Sequence, residues 1–375
     1  MNQEKLKKYR RDLHQIPELG FDLFLTRDYV KQVLESLGYQ TESTAKTGLI
    51  AVKKGKSDEA IAFRTDMDAL PVFEMTDADF ESKHPGKMHA CGHDGHMAML
   101  LGFAEYLQTI KTLEKTVVLI FQPAEEGPGG AKVIIEEGLF EKYRIQHIFG
   151  IHLYPGLEEG LYGLTDGAMM AQNGEFNLSI KGTSAHGAQP HLGKDAILAA
   201  SHLVSSYHSI VSRNIDPLDP AVVTIGTVSG GEARNIIAKE VKLTGTIRAF
   251  SSHVYEVIKH RMRSIDQGIS SSFDVEVDNE IIDYYPPVIN DHKLFLELKH
   301  SLESNQYQIL KPMMFAEDFA FYQQKVSGMF VMLGTKNEAK GWTHPLHSCY
   351  FNFDESVLIK GVELYIRLAK IHKII

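Results

Sequence analysis

Three histidines and a cysteine fall within eight residues, His89-Ala90-Cys91-Gly92-His93-Asp94-Gly95-His96. A thiolate and imidazoles are good ligands for zinc and similar divalent ions. Cys91 and His93 are two apart, so in an extended chain they point the same way. His89 and His96 read instead as residues that cap and pack the helix that follows. A second cluster, Glu125-Glu126, closes the apolar run Thr116–Phe121. A solvated turn would explain the charges but not the apolar strand that feeds them. Neighbouring strand residues point to opposite sides, so one carboxylate can bind metal while the other faces substrate. His152, at the end of the apolar run His147–Ile151, is a further ligand candidate. Gly127-Pro128-Gly129-Gly130 lacks the Gly-Lys-Ser/Thr ending of a phosphate-binding loop and reads as a helix entry. The chain has no Gly-x-Ser-x-Gly. A cysteine hydrolase stays open, because Cys91 near a helix N-terminus could be an activated nucleophile. Such a nucleophile would not need Glu125, Glu126 or His152.

The elements that must position these groups alternate between strand and helix. Apolar strands are expected at 48–52, 60–63, 116–121 and 147–151, with helices over 26–38 and from His93 to Leu107. The second strand runs straight into Arg64-Thr65-Asp66-Met67-Asp68. Three strands thus finish at a carboxylate or imidazole, and ligands of open α/β sheets sit at the carboxyl ends of strands. The pattern changes near Gly174. Alternating strands at 175–181, 222–228 and 240–249, helices at 194–212 and 252–268, and a closing strand at 272–277 describe a small α+β unit. Beyond Pro286-Pro287 the α/β style resumes, with a strand at 329–333 and a last helix from Asp354. The fold class is therefore α/β, with residues 1–174 and 286–375 forming a metal-binding domain and 175–285 an inserted lid. The 375 residues, 43% hydrophobic and 23% charged, exclude disorder and a disulfide scaffold. A net charge of -9 argues against nucleic acid as a partner. The start MNQEKLKKYRR is too charged for a secretory signal, and no apolar run approaches ~18 residues, so no membrane association is expected. With two cysteines, the expectation is a reducing, cytoplasmic location.

Arg11–His14 with Pro17-Glu18, Asp66-Met67-Asp68-Ala69-Leu70-Pro71, His89–Asp94 and Phe121-Gln122-Pro123-Ala124-Glu125-Glu126-Gly127 resemble, in order along nearly the whole chain, the dinuclear-metal amidohydrolases of the aminoacylase and carboxypeptidase family. The branch is similar to hippurate hydrolase, N-acyl-amino-acid amidohydrolases, N-acetyldiaminopimelate deacetylase and plant auxin-conjugate hydrolases. The resemblance implies a zinc-peptidase-like α/β catalytic domain with an inserted ferredoxin-like α+β lid and dimerisation domain. It implies two divalent ions per subunit, manganese or zinc, with nickel or cobalt as further candidates. Cys91 would bridge them, His93 and His152 would complete one shell, and Glu126 with His347 the other. His344 is the competing choice to His347. Where much of the wider family has His-x-Asp, this chain reads Asp66-Met67-Asp68, so the ligand is expected from His93, with Asp68 supporting it or relaying protons.

In the insert, Gly182-Thr183-Ser184-Ala185-His186 resembles the motif whose histidine polarises the scissile carbonyl, often from a neighbouring subunit. Asn235 and Arg248 resemble residues that hold the substrate carboxylate; a surface-paired strand arginine is the alternative for Arg248. His191 reads as structural. The implied reaction is hydrolysis of N-acyl-L-amino acids to amino acid and carboxylate by a metal-activated water, with Glu125 as general base. Lid closure would bring His186 and Arg248 to the metals. N-acetyl-L,L-diaminopimelate is an alternative substrate within the class, although Ser348-Cys349 departs from the second histidine of many such deacetylases. A Cys91 nucleophile and a non-catalytic binding relative are the alternatives of other classes. A homodimer or homotetramer through the lid is the expected assembly.

Overall fold

The computed structural model describes residues 2–375. Contacts divide the chain into two compact units, one of residues 1–167, 289–311 and 318–375, the other of residues 168–288 and 312–317.

The first unit is built on an eight-stranded sheet in the order Thr41–Thr44, Gly48–Lys53, Leu113–Gln122, Gly55–Asp66, Arg144–Glu158, Ser327–Lys336, Tyr162–Leu164, Tyr307–Ile309. The central strands are parallel: Gly55–Asp66 runs with Leu113–Gln122 and with Arg144–Glu158, which in turn runs with Ser327–Lys336. Gly48–Lys53 is antiparallel to Leu113–Gln122, so that apolar run lies in a mixed sheet rather than a purely parallel one. Residues 116–122 are all buried, as expected of a central strand covered on both faces. Helix His93–Thr109 has thirteen buried residues around its whole circumference, the mark of a helix enclosed by the core rather than laid on its surface. Gly95 and Gly102 let it approach its neighbours: a β-carbon at Gly95 would lie 2.8 Å from Leu153 and Phe353. Helices Gln3–His14 and Leu358–Ile371 pack against it. The register places Arg64 opposite Gly150 and Asp66 opposite Gln122, so the carboxyl ends of Gly55–Asp66 and Leu113–Gln122 share one level, beside the middle of Arg144–Glu158.

The second unit carries a four-stranded antiparallel sheet in the order Glu276–Asp283, Gln172–Lys181, Glu240–Ala249, Ala221–Gly230, with helices Ala196–Asn214 and Ser252–Phe273. Strand order 4-1-3-2 with a helix after the first and third strands is the ferredoxin-like arrangement. Its own core joins Phe176, Leu178 and Ile180 to Leu203, Tyr207, Ile258 and Met262. The closing strand expected at 272–277 is displaced: the helix continues to Phe273, Asp274 turns the chain at φ +51°, and the strand is Glu276–Asp283. Amphipathic spacing runs through Ile265 and Ile269, and a left-handed aspartate rather than a glycine ends it. Among the described residues no helix is long and apolar enough to cross a membrane.

Candidate metal centre and catalytic residues

Cys91 and His93 do not reach the site from an extended chain. Gly92 between them is left-handed (φ +84°) and caps helix His93–Thr109, so a bend brings the thiol and the imidazole together. Glycine adopts that conformation without the steric penalty of a β-carbon. The Leu113–Gln122 strand ends before Glu125 and Glu126, which lie in a turn led by Ala124 at φ +59°. Strand alternation therefore does not separate them. Both backbone amides donate to Asp68, Glu125 to Oδ1 (3.0 Å) and Glu126 to Oδ2 (3.1 Å). Their carboxylates converge on His93 Nε2, at 4.0 and 3.9 Å. His152 is not a strand terminus, since its strand runs on to Glu158; it sits opposite Met332. His347 is left-handed (φ +66°), its amide donates to the Ala90 carbonyl (2.8 Å), and Nε2 lies 3.4 Å from Glu126 Oε1. Two of the resulting donor groups draw on the thiol, Cys91 with His93 and His152, and Cys91 with Glu126 and His347. Cys91 is common to both. His344 instead lies beside the Tyr350 ring, at 5.2 Å.

The hydrogen bonds fix which nitrogens are bare. His93 Nδ1 bonds the Asp68 carbonyl (2.8 Å), and a carbonyl only accepts, so in the neutral ring Nε2 keeps its lone pair. His152 Nδ1 likewise donates to the Leu153 carbonyl (2.7 Å), leaving Nε2 to face Cys91 Sγ at 3.5 Å. His93 Nε2 and Glu126 Oε1 are buried without a hydrogen-bond partner among the described residues. Buried polar atoms are rarely left so. One sulfur, three imidazoles and a carboxylate, with the lone pairs of His93 and His152 turned inward, fit a pair of divalent cations.

Electrostatics agrees. Burial lowers the pKa of His93, but Asp66, Asp68 and Glu126 outweigh it and push His93 up to about 10. Burial together with Glu126, Glu125 and Asp66 holds the Cys91 thiol well above its ordinary range. Burial drives His152 well below the usual imidazole range, aided by the neighbouring His96. Asp68 is raised by burial, whereas Glu126 is lowered, its burial outweighed by His347 and His93. The cluster is short of positive charge, which a divalent ion supplies.

Several supporting residues carry no motif of their own. Asp318 accepts from Arg64 Nη2 (2.8 Å), Gln122 Nε2 (2.7 Å) and the Ala131 amide (2.9 Å). Arg64 Nη1 donates to Asp66 Oδ2 (2.9 Å), so one carboxylate oxygen of Asp66 is held by the guanidinium. His96 bonds Asp66 through Nδ1 (2.7 Å) and accepts the Leu153 amide at Nε2 (2.9 Å), so neither nitrogen is available to an ion. His89 is buried with neither nitrogen bonded and is held down to about 3 by burial, a neutral ring 6.3 Å from His14. The one signal that pointed to this network was the replacement at Asp66.

Within the second unit, His186 pairs with Ile236, and the Gly187 amide donates to the Asn235 carbonyl (2.8 Å), so His186 and Asn235 are neighbours on exposed loops. The Ala188 amide donates to His186 Nδ1 (3.1 Å), which leaves Nε2 as the protonated nitrogen of the neutral ring, a hydrogen-bond donor. Arg248 is half-buried and its side chain makes no hydrogen bond or ion pair among the described residues, so it is not a surface-paired arginine. It sits opposite Asn173, whereas the loops of His186 and Asn235 join the sheet at its other end, where Lys181 faces Glu240. Eight residues of strand, at ~3.3 Å each, separate the two ends by roughly 26 Å. One insert therefore does not bring His186 and Arg248 to a single amino-acid-sized substrate, and the closure expected from sequence cannot deliver both from one chain.

Residues 62–371 match the peptidase family M20/M25/M40, and the chain belongs to it. An uncharacterized hydrolase of Staphylococcus haemolyticus is 38% identical over 372 residues, 97% of each chain. A crystal structure of a Bacillus subtilis dinuclear metal-binding peptidase of the M20 family is 33% identical and superposes with a TM-score of 0.86, covering 99% of this chain and 98% of that one. A Staphylococcus aureus structure provisionally named an aminohydrolase is 31% identical with a TM-score of 0.94, covering 100% and 97%. The protein is a hydrolase of the metal-dependent amidohydrolase and peptidase type, and its donor clusters together with these relatives support two divalent ions.

Proposed function

We propose that this hydrolase cleaves the amide bond of N-acyl-L-amino acids, releasing the amino acid and a carboxylate. Two divalent ions, manganese or zinc, would be held by Cys91, His93 and His152 and by Cys91, Glu126 and His347. The observation that carries the reading is the meeting of Glu125 with a ligand set in which backbone hydrogen bonds preset the lone pairs of His93 and His152. Bound ions of this kind polarise a carbonyl oxygen and lower the pKa of water from ~15.7 towards ~7. Glu125 takes the proton of the attacking water and passes it to the departing amide nitrogen, which would otherwise be a poor leaving group. Asp68 holds Glu125 and Glu126 in place through both of its oxygens. His186 Nε2–H donates to the oxygen that gains charge as water adds. Arg248, whose side chain has no partner among the described residues, pairs with the α-carboxylate of the substrate. The span between His186 and Arg248 favours a homodimer or homotetramer joined through residues 175–285, in which His186 serves a neighbouring subunit. Cys91 as nucleophile is disfavoured, since burial and three carboxylates oppose its ionisation.

A panel of N-acetyl-, N-benzoyl- and longer N-acyl-amino acids, with N-acetyl-L,L-diaminopimelate included, tests the reading with and without EDTA and added Mn²⁺ or Zn²⁺. Hydrolysis lost to chelator and restored by metal is expected. Activity indifferent to chelator would return Cys91 to the role of nucleophile.

A further inference from the structure

Helix His93–Thr109 begins with a ligand candidate and carries a second imidazole, His96, one turn later. Asp66, His93 and His96 lie close enough to be mistaken for a third ion site. The hydrogen bonds exclude it. The Leu153 amide can only donate, so His96 Nε2 is bare and occupied by it (2.9 Å), and His96 Nδ1–H is committed to Asp66 (2.7 Å). Asp66 is anchored by Arg64 Nη1 (2.9 Å), and Arg64 by Asp318 (2.8 Å). The other side of residue 153 completes a chain: its carbonyl accepts His152 Nδ1–H (2.7 Å), and His152 Nε2 faces Cys91 (3.5 Å). The rings of His96 and His152 pack edge to face at 4.5 Å.

We infer that His96, backed by Asp66, is a positioning residue for His152: it pins the amide of Leu153, whose carbonyl selects the nitrogen that His152 offers to an ion. The inference rests on the proposed metal centre and goes beyond it, because His96 touches neither ion nor substrate. Its influence is one-sided. His152 belongs to only one donor group, so the Glu126–His347 position is insulated from His96.

The test is a Co²⁺ titration of metal-stripped full-length protein against a competing chelator, read by visible absorption, for wild type, His96→Phe and His96→Gln. Glutamine can accept from Leu153 and donate to Asp66; phenylalanine can do neither. Wild type is expected to bind two ions. In His96→Phe one ion weakens by roughly 10–100-fold while the other stays within about threefold, and His96→Gln recovers most of the loss. Two ions bound with wild-type affinity in a folded His96→Phe protein would overturn the inference. So would equal weakening of both ions in both variants with a lowered melting temperature, the behaviour of a merely structural residue. Should the phenylalanine variant fail to fold, His96→Leu, smaller and likewise unable to accept or donate, decides by the same criterion: weakening confined to one ion supports positioning, and no change or equal loss overturns it. A wild type that binds no ion fails the metal reading itself, a result distinct from either.

Discussion

Glu125→Gln removes one proton acceptor and one negative charge while keeping the shape of the side chain. The Glu125 amide is held by Asp68 Oδ1 and the Glu126 amide by Oδ2, bonds that the substitution leaves intact. The side chain is buried, and one carboxylate oxygen lies 4.0 Å from His93 Nε2, within reach of a water placed between them. Glutamine fills the same space but cannot take a proton. General acid–base catalysis contributes about 10²–10⁴ in rate, or roughly 2.7–5.4 kcal/mol at ~1.36 kcal/mol per decade. The loss should fall on kcat, with KM near its wild-type value, because proton transfer belongs to the transition state. The assay is steady-state hydrolysis of the preferred N-acyl-amino acid, run beside metal analysis of the same preparation. A kcat within tenfold of wild type, with both ions present, would refute the general-base role. Loss of an ion together with activity would make Glu125 a ligand instead, and the division of labour between the two glutamates would fail.

Other expectations can be checked on the same protein. His14 is buried between Asp94 (2.8 Å) and Glu74 (2.9 Å), which overcome the effect of burial and push its pKa from 6.5 up to about 9. A pKa raised in the folded state contributes stability that is complete below ~6.5 and lost as pH rises through ~9, a change on the order of 3 kcal/mol. Urea unfolding should show that decline in wild type and a flatter profile in His14→Gln. Arg248→Ala should lower kcat/KM roughly 10–100-fold through KM, the value of a charge-assisted pair, without moving the melting temperature. An unchanged KM would remove Arg248 from substrate binding. Gly92→Ala forces a β-carbon into the left-handed region and to 3.1 Å from Leu153. A destabilisation of about 1–2 kcal/mol is expected by urea unfolding, together with weaker ion binding.

The candidate donors were legible because they form short-range motifs: Cys91 and His93 lie two apart, and Glu125 and Glu126 follow a bare strand. What positions them was hidden because it is long-range or conformational. No spacing announces that Asp318 holds Gln122, or that Asp68 clamps two amides nearly sixty residues away. Periodicity says nothing about the sign of φ, yet left-handed Gly92, Ala124 and His347 decide where three of the segments turn. The alternation argument failed at Glu125 and Glu126 because the strand stops at Gln122 and leaves its geometry behind. In the insert the strand-helix alternation indicated a small α+β unit, while the separation of His186 from Arg248 followed only from the register of Gln172–Lys181 against Glu240–Ala249.

The chain leaves the first unit at Gly167 and returns at Ile289, and the ligand candidates straddle that excursion. Cys91, His93, Glu126 and His152 are synthesised before it, His347 after it. A growing chain therefore displays an incomplete cluster for as long as the insert is being made, and the bond from the His347 amide to the Ala90 carbonyl forms only when the last segment arrives. Completion of the centre therefore waits on the last segment of the chain. Ions held by donors from both segments would then bind the assembled unit more tightly than any fragment of it, and tie its first and last segments together by mass action.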